Sequence, residues 1–141
     1  MDRKPLMLTV KHTDRAWTGY MKKIALEAGI PDSYRTIIMF LARNGEASQK
    51  QLAEFSQTTY AAVSRTVKEM ELTGYINKTT DDGDRRYAKL SLTEKGWECD
   101  RKIRDRIHQA EHTIAGSLGE KKEREMIEIL ESISKLIKEQ L

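Results

Sequence analysis

"TTDDGDRRYAKLSLTEKG" runs from Thr79 to Gly96. The pair Asp82-Gly83 stands between two short runs of extended character, a strong hairpin signal, because glycine accepts the positive φ that a tight turn needs. Strands are expected over "YINKTT" (75–80) and "RYAKLSL" (86–92). A turn needs only the glycine and a small polar neighbour. This one also carries Asp81, Asp82 and Asp84, followed at once by Arg85 and Arg86. Two adjacent guanidinium groups at the end of a hairpin point to a partner with negative charge.

The segments on either side say what the hairpin is attached to. Upstream, "TYAAVSRTVKEMELTG" has Thr59 to cap a helix and Gly74 to end it. Val63, Val67 and Met70 make its buried stripe, leaving Tyr60, Ala61, Ser64, Arg65 and Lys68 on the opposite face. Before it, "SQKQLAEFS" opens with Ser48 and Gln51 at the spacing of a capping box. Its short helix should turn Leu52 and Phe55 inward, and "QTT" breaks it. Farther back, "PDSYRTIIMFLARNG" sets Tyr34, Ile37, Ile38 and Leu41 on one side of a helix. In "TDRAWTGYMKKIALEAG", Thr13 can cap a helix that Gly29 ends, with Trp17, Tyr20, Met21, Ile24 and Leu26 as its apolar positions. Downstream, "TEKGWECDRKIRDRIHQAEHTIAGSL" is a long helix with a broken seam of Trp97, Ile103, Ile107, Ala110 and Ile114. A last helix, "GEKKEREMIEILESISKLIKEQL", repeats Met126, Ile127, Leu130, Ile133, Ile137 and Leu141 at close to heptad spacing.

The order is four helices, two strands and two helices. The expected fold is mainly α with a small β-hairpin wing: a winged helix-turn-helix with N- and C-terminal dimerisation helices. Residues 31–96 would form the DNA-binding lobe, and residues 1–30 and 97–141 the helical dimerisation region. A helix with a capped start and a polar outer face fits a major groove, which is wide enough for one α-helix. The candidate contacts there are Thr59, Tyr60, Ala61, Ser64, Arg65 and Lys68. Those of the wing are Asp84, Arg85 and Arg86, with the arginines suited to a narrow minor groove of strong negative potential. The apolar stripes of the outer helices need burial, and the same surface of a second copy supplies it.

Composition agrees with such a chain. Of 141 residues, 33% are charged and 6% aromatic, a soluble, helix-rich mix. No apolar run approaches the ~20 residues of a membrane span, and the start has no signal-peptide pattern, so a cytoplasmic protein with no membrane partner is expected. Cys99 is the only cysteine, which excludes an internal disulfide and a thiolate metal cage within one chain. The net charge of +3 is mild. Lys and Arg number 8 against 5 Asp and Glu in residues 1–47, 8 against 7 in 48–96, and 9 against 10 in 97–141. The case for a nucleic-acid partner therefore rests on where the arginines sit.

Specific motifs carry a resemblance. Asp84-Arg85-Arg86, then "YAKLS", then Leu92-Thr93-Glu94-Lys95-Gly96 resembles the wing of the MarR family of bacterial transcription regulators. Gln49-Lys50-Gln51-Leu52-Ala53 and Met70-Glu71-Leu72-Thr73-Gly74 are similar to the start and the closing corner of that family's helix-turn-helix. The likeness covers nearly the whole chain. It departs at Ser56-Gln57-Thr58, where the family has a glycine between two apolar residues, and at Tyr60, where a proline often opens the recognition helix. The resemblance implies a homodimer held by N- and C-terminal helices and a wing aspartate that orients an arginine. It also implies a small, often aromatic ligand between the dimer helices and the DNA-binding lobe. Trp17, Tyr20 and Met21 could line such a space. The expected function is a sequence-specific double-stranded DNA-binding regulator, a repressor acting on a near-palindromic operator and released by a ligand.

One other motif competes. "HQAEH" places His108 and His112 four residues apart on one helix face with Glu111 beside them, a pattern that can bind Zn²⁺. The alternative is a zinc-dependent hydrolase or a metal sensor, the latter used by zinc-responsive relatives within the family. His12 is the only other histidine, and no third ligand stands near in sequence. No nucleotide-binding loop, paired catalytic carboxylates or partnered nucleophile is present, so neither catalysis nor a cofactor is expected.

Overall fold

The computed structural model describes residues 3–80 and 88–141. The elements are α1 (Leu6–Glu27), α2 (Asp32–Asn44), β1 (Glu46–Ala47), α3 (Gln49–Ser56), α4 (Tyr60–Leu72), β2 (Ile76–Thr79), β3 (Lys89–Leu92), α5 (Glu94–Leu118) and α6 (Glu120–Gln140). The chain divides into two compact units, residues 1–103 and residues 104–141. No described helix is long and apolar enough to cross a membrane.

The core of the first unit forms where the apolar stripes of its helices meet one small sheet. Ile24 of α1, Ile38 and Leu41 of α2, Leu52 of α3, Met70 of α4, Ile76 of β2, Leu90 of β3 and Ile103 of α5 are fully buried. The sheet is antiparallel in the order β1-β3-β2. Ile76 lies opposite Leu92 and Thr79 opposite Lys89, while Glu46 and Ala47 pair with Ser91 and Leu90. The third strand, β1, was not expected: two residues carry no periodicity. Asp84, Arg85 and Arg86, together with the expected Asp82-Gly83 turn, lie outside the described residues.

The corner that joins the sheet to α5 explains "LTEKG". Thr93 accepts a hydrogen bond from the Gly96 backbone N–H at 3.1 Å and donates its hydroxyl proton to the Gly74 carbonyl at 2.6 Å. The Thr93 N–H donates to the Tyr75 carbonyl at 3.1 Å. One side chain thus caps α5 and ties it to the end of α4. Gly96 is needed for a different reason: a Cβ there would collide with the Tyr75 carbonyl oxygen and crowd Leu92. Lys95 completes the corner, donating to the Thr73 carbonyl at 2.8 Å with its ammonium 4.4 Å from the Tyr75 ring centre.

Several expected positions move. α1 begins at Leu6 after Pro5, not at Thr13, because proline suits the first turn, where no N–H partner exists. Thr13 sits within the helix and donates its hydroxyl to the Thr9 carbonyl. Leu26 is 73% exposed, since two residues beyond buried Ile24 lie about 200° round the helix. Trp97 is also exposed. Phe55 does not point into the core either, although its ring meets that of Phe40 at 4.6 Å.

The second unit holds the rest of α5 and all of α6. Gly119 takes φ 88° at the break between them, and its N–H donates to the Ala115 carbonyl at 2.8 Å. No residue of α6 is buried. Met126, Ile127, Leu130 and Ile137 are all exposed, and Ile133 is half-buried.

Candidate nucleic-acid interface

Two helix starts and one tight turn build the site. Ser48 Oγ accepts from the Gln51 N–H at 3.1 Å, and Gln51 Oε1 accepts from the Ser48 N–H at 2.9 Å. This reciprocal pair satisfies backbone donors that the helix itself cannot. Between α3 and α4, Gln57 adopts φ 52°, ψ 41°. It is the only non-glycine among the described residues with positive φ. Thr58 then donates its N–H to the Ala53 carbonyl at 3.3 Å. The turn therefore keeps the left-handed geometry that glycine adopts most easily, although Ser56-Gln57-Thr58 contains no glycine.

α4 starts where Thr59 Oγ1 accepts from the Ala62 N–H at 3.1 Å. It ends in a Schellman motif: the Tyr75 N–H donates to the Met70 carbonyl at 2.9 Å and the Gly74 N–H to the Glu71 carbonyl at 3.2 Å. Val63, Val67 and Met70 are buried. A second tie comes from Tyr34 of α2, whose hydroxyl donates to Glu69 Oε2 at 3.4 Å and whose ring meets Tyr75 edge-on at 5.8 Å. With that inner face fixed, Thr59, Tyr60, Ala61, Arg65 and Lys68 are exposed and Ser64 is half-buried. None of the six candidate residues of this helix and its cap is buried, and Ala61, Ser64, Arg65 and Lys68 lie on the side away from Val63 and Met70. Asp84, Arg85 and Arg86 lie outside the described residues.

The lone cysteine and the histidine pair lie elsewhere. Burial, with Asp100 adding to it and Lys102 and Lys95 opposing it, raises the Cys99 thiol above its ordinary pKa. Cys99 is buried, the opposite of the exposed, thiolate-rich setting of a reactive cysteine. His108 and His112 are both exposed on α5. Among the described residues no group of three or more His, Cys, Asp or Glu side chains could hold a metal ion. The zinc reading therefore gains no third ligand among the described residues. Trp17 and Tyr20 do form a stacked pair with ring centres 5.5 Å apart on α1, both half-buried, and Met21 beside them is buried.

Comparison with known proteins agrees with this geometry. The sequence model of the MarR family matches residues 28–86. The chain is 23% identical over 119 residues to the HTH-type transcriptional regulator BilQ of Clostridium symbiosum (strain WAL-14163), covering 84% of this chain and 83% of BilQ. Its fold is similar to that of the MarR family transcription regulator SP03579, with a TM-score of 0.85 at 18% identity, over 93% of this chain and 87% of that one. It is also similar to NadR solved in complex with 4-hydroxyphenylacetate, with a TM-score of 0.73 at 20% identity over 96% of each chain. Over residues 28–86 the chain is similar to the MarR family of transcriptional regulators, and its fold as a whole is that of the winged helix-turn-helix structures it resembles.

Proposed function

We propose that this chain is a sequence-specific double-stranded DNA-binding repressor of the cytoplasm. It acts as a homodimer on a near-palindromic operator and leaves DNA when a small aromatic ligand binds. The observation that carries the reading is α4: capped at both ends and pinned through Val63, Val67 and Met70, it leaves Ser64, Arg65 and Lys68 accessible. Arginine suits the guanine edge in the major groove, where it donates two hydrogen bonds at once. Arg85 and Arg86 are the proposed minor-groove contacts, with Asp84 holding one of them in direction.

The dimer is supported by α6, whose apolar stripe of Met126, Leu130, Ile133 and Ile137 has no buried member in a single chain. Residues 1–30 and 97–141 are its proposed framework, and a two-fold dimer requires two half-sites about one DNA turn apart. The ligand class is supported by the fold shared with NadR, which was solved with 4-hydroxyphenylacetate, and by the Trp17–Tyr20 pair. Nuclease protection with the purified protein across the promoter of its own gene tests the reading. A protected inverted repeat is expected; uniform, sequence-independent protection contradicts it.

A further inference from the structure

We propose that a cleft at the base of the sheet, beside the start of α4, is a seat for a DNA backbone phosphate. In it, Glu46 competes with that phosphate for Lys89. This inference rests on the DNA-binding reading above and adds residues that neither the recognition helix nor the wing motif contains.

The cleft has a volume of about 470 Å³, and its lining includes Glu46, Ser48, Lys50, Tyr60 and Lys89. These residues come from four places in the chain. Glu46 belongs to β1, Ser48 caps α3, Lys50 lies in the first turn of α3, Tyr60 opens α4 and Lys89 opens β3. The unexpected strand β1 brings them together: its pairing with β3 sets Glu46 opposite Ser91, within reach of Lys89. The Lys89 ammonium donates to Glu46 Oε1 at 3.1 Å, and both side chains are about half exposed, at 52% and 55%. Lys50 is exposed as well, and Tyr60 is 58% exposed. Two ammonium groups and a phenol hydroxyl around an open cleft are donors suited to a phosphate oxygen. Tyr60 also belongs to the proposed recognition helix, so a duplex seated on α4 passes this cleft.

The carboxylate gives the seat its second property. An exposed ion pair contributes little, so Glu46 does not hold Lys89 against a phosphate. It reduces what the phosphate gains. Phosphate contacts act on every sequence alike. A weakened one lowers affinity for bulk DNA, while base contacts made by α4 are untouched. The pair thus lowers affinity for operator and for random DNA by the same factor, most at low salt, and leaves discrimination to α4.

Two duplexes test this: one selected by the wild-type protein from a random pool, and one of scrambled sequence. Binding of each is titrated over a range of salt, with circular dichroism confirming the fold of every variant. Lys50→Gln with Lys89→Gln should weaken both duplexes by the same factor. The slope of log affinity against log salt should flatten by up to about 0.9 for each lysine removed per subunit. Glu46→Gln should tighten both duplexes by the same factor, roughly two- to fivefold, the range of one exposed ion pair. Lys89→Gln should cost more in the Glu46→Gln background than in the wild type. Unchanged affinity and slope in the lysine double variant, with wild-type binding intact, overturns the phosphate seat. Weaker binding by Glu46→Gln overturns the competition. Failure of the wild type to enrich any duplex instead overturns the DNA-binding reading itself.

Discussion

Gln57 holds a backbone conformation that costs an L-residue about 1–2 kcal/mol, at φ 52°. The turn tolerates it because buried Leu52 on one side and Val63 on the other fix the helices it joins. Gln57→Gly should therefore stabilise the fold, by about 0.5–1 kcal/mol after glycine's greater freedom in the unfolded chain is subtracted. Urea unfolding should show a higher midpoint at an unchanged slope; a lower midpoint would mean that the Gln57 side chain contributes something the geometry does not reveal. The sequence marks this position only as a departure from the glycine of similar proteins. Its φ had to be seen, because nothing in "SQT" requires a left-handed residue.

Cys99 gives a pH dependence with a definite sign. Burial raises its pKa first, with Asp100 adding and the lysines Lys102 and Lys95 opposing. Tyr75 is raised in the same direction, again by burial first and then by Cys99 and Tyr34. A raised acid keeps its proton in the folded chain at a pH where the unfolded chain has lost it. The stabilisation is complete below the unfolded pKa and is lost as pH rises through the folded one. Stability should thus decline on going alkaline beyond the ordinary cysteine pKa of 9.0, and Cys99→Ala should decline less steeply over the same range. Chemical denaturation of both proteins across that range is the check, and parallel curves would remove Cys99 as a cause.

At the level of elements, the helices were largely legible because their caps are chemical. Ser48 and Gln51, Thr59 and Gly74 all act where their residue types place them. What failed was the inference from period to burial near helix ends, at Leu26, Phe55 and Trp97. Leu26 and Trp97 are turned away from the buried stripe of their helices, Ile24 and Ala25 in α1 and Gly96, Cys99 and Ile103 in α5. β1 was invisible because its two residues are set by pairing with β3 and not by their own propensity. The expected wing contacts fall on residues outside the described structure, so they are tested by chemistry. Arg85→Ala with Arg86→Ala should leave the fold intact and remove four cationic contacts from a dimer. The slope of log affinity against log salt should flatten by up to ~3.6, at 0.9 per phosphate neutralised. Asp84→Ala should fall between this protein and the wild type. An unchanged slope in the double variant means that these arginines do not meet DNA.

For the whole molecule, the proposed dimer and the proposed recognition of DNA are tested together. α6 carries more apolar surface than a solvated helix needs, with Ile129 and Leu136 flanking the stripe of Leu130, Ile133 and Ile137. Sedimentation at micromolar concentration should give a dimer, and removal of residues 119–141 should give monomer or insoluble protein. A full-length monomer contradicts the assembly. The central claim is that α4 reads sequence, and Arg65 tests it most directly. Arg65→Ala should be compared with the wild type on the selected operator, on that operator with single base pairs changed, and on scrambled duplex. The expected loss is ~1–3 kcal/mol on the operator, with relaxed preference at one position in each half-site and little change on scrambled DNA. An equal loss on every duplex would make Arg65 a phosphate contact, and no loss on any would mean that α4 does not enter the groove.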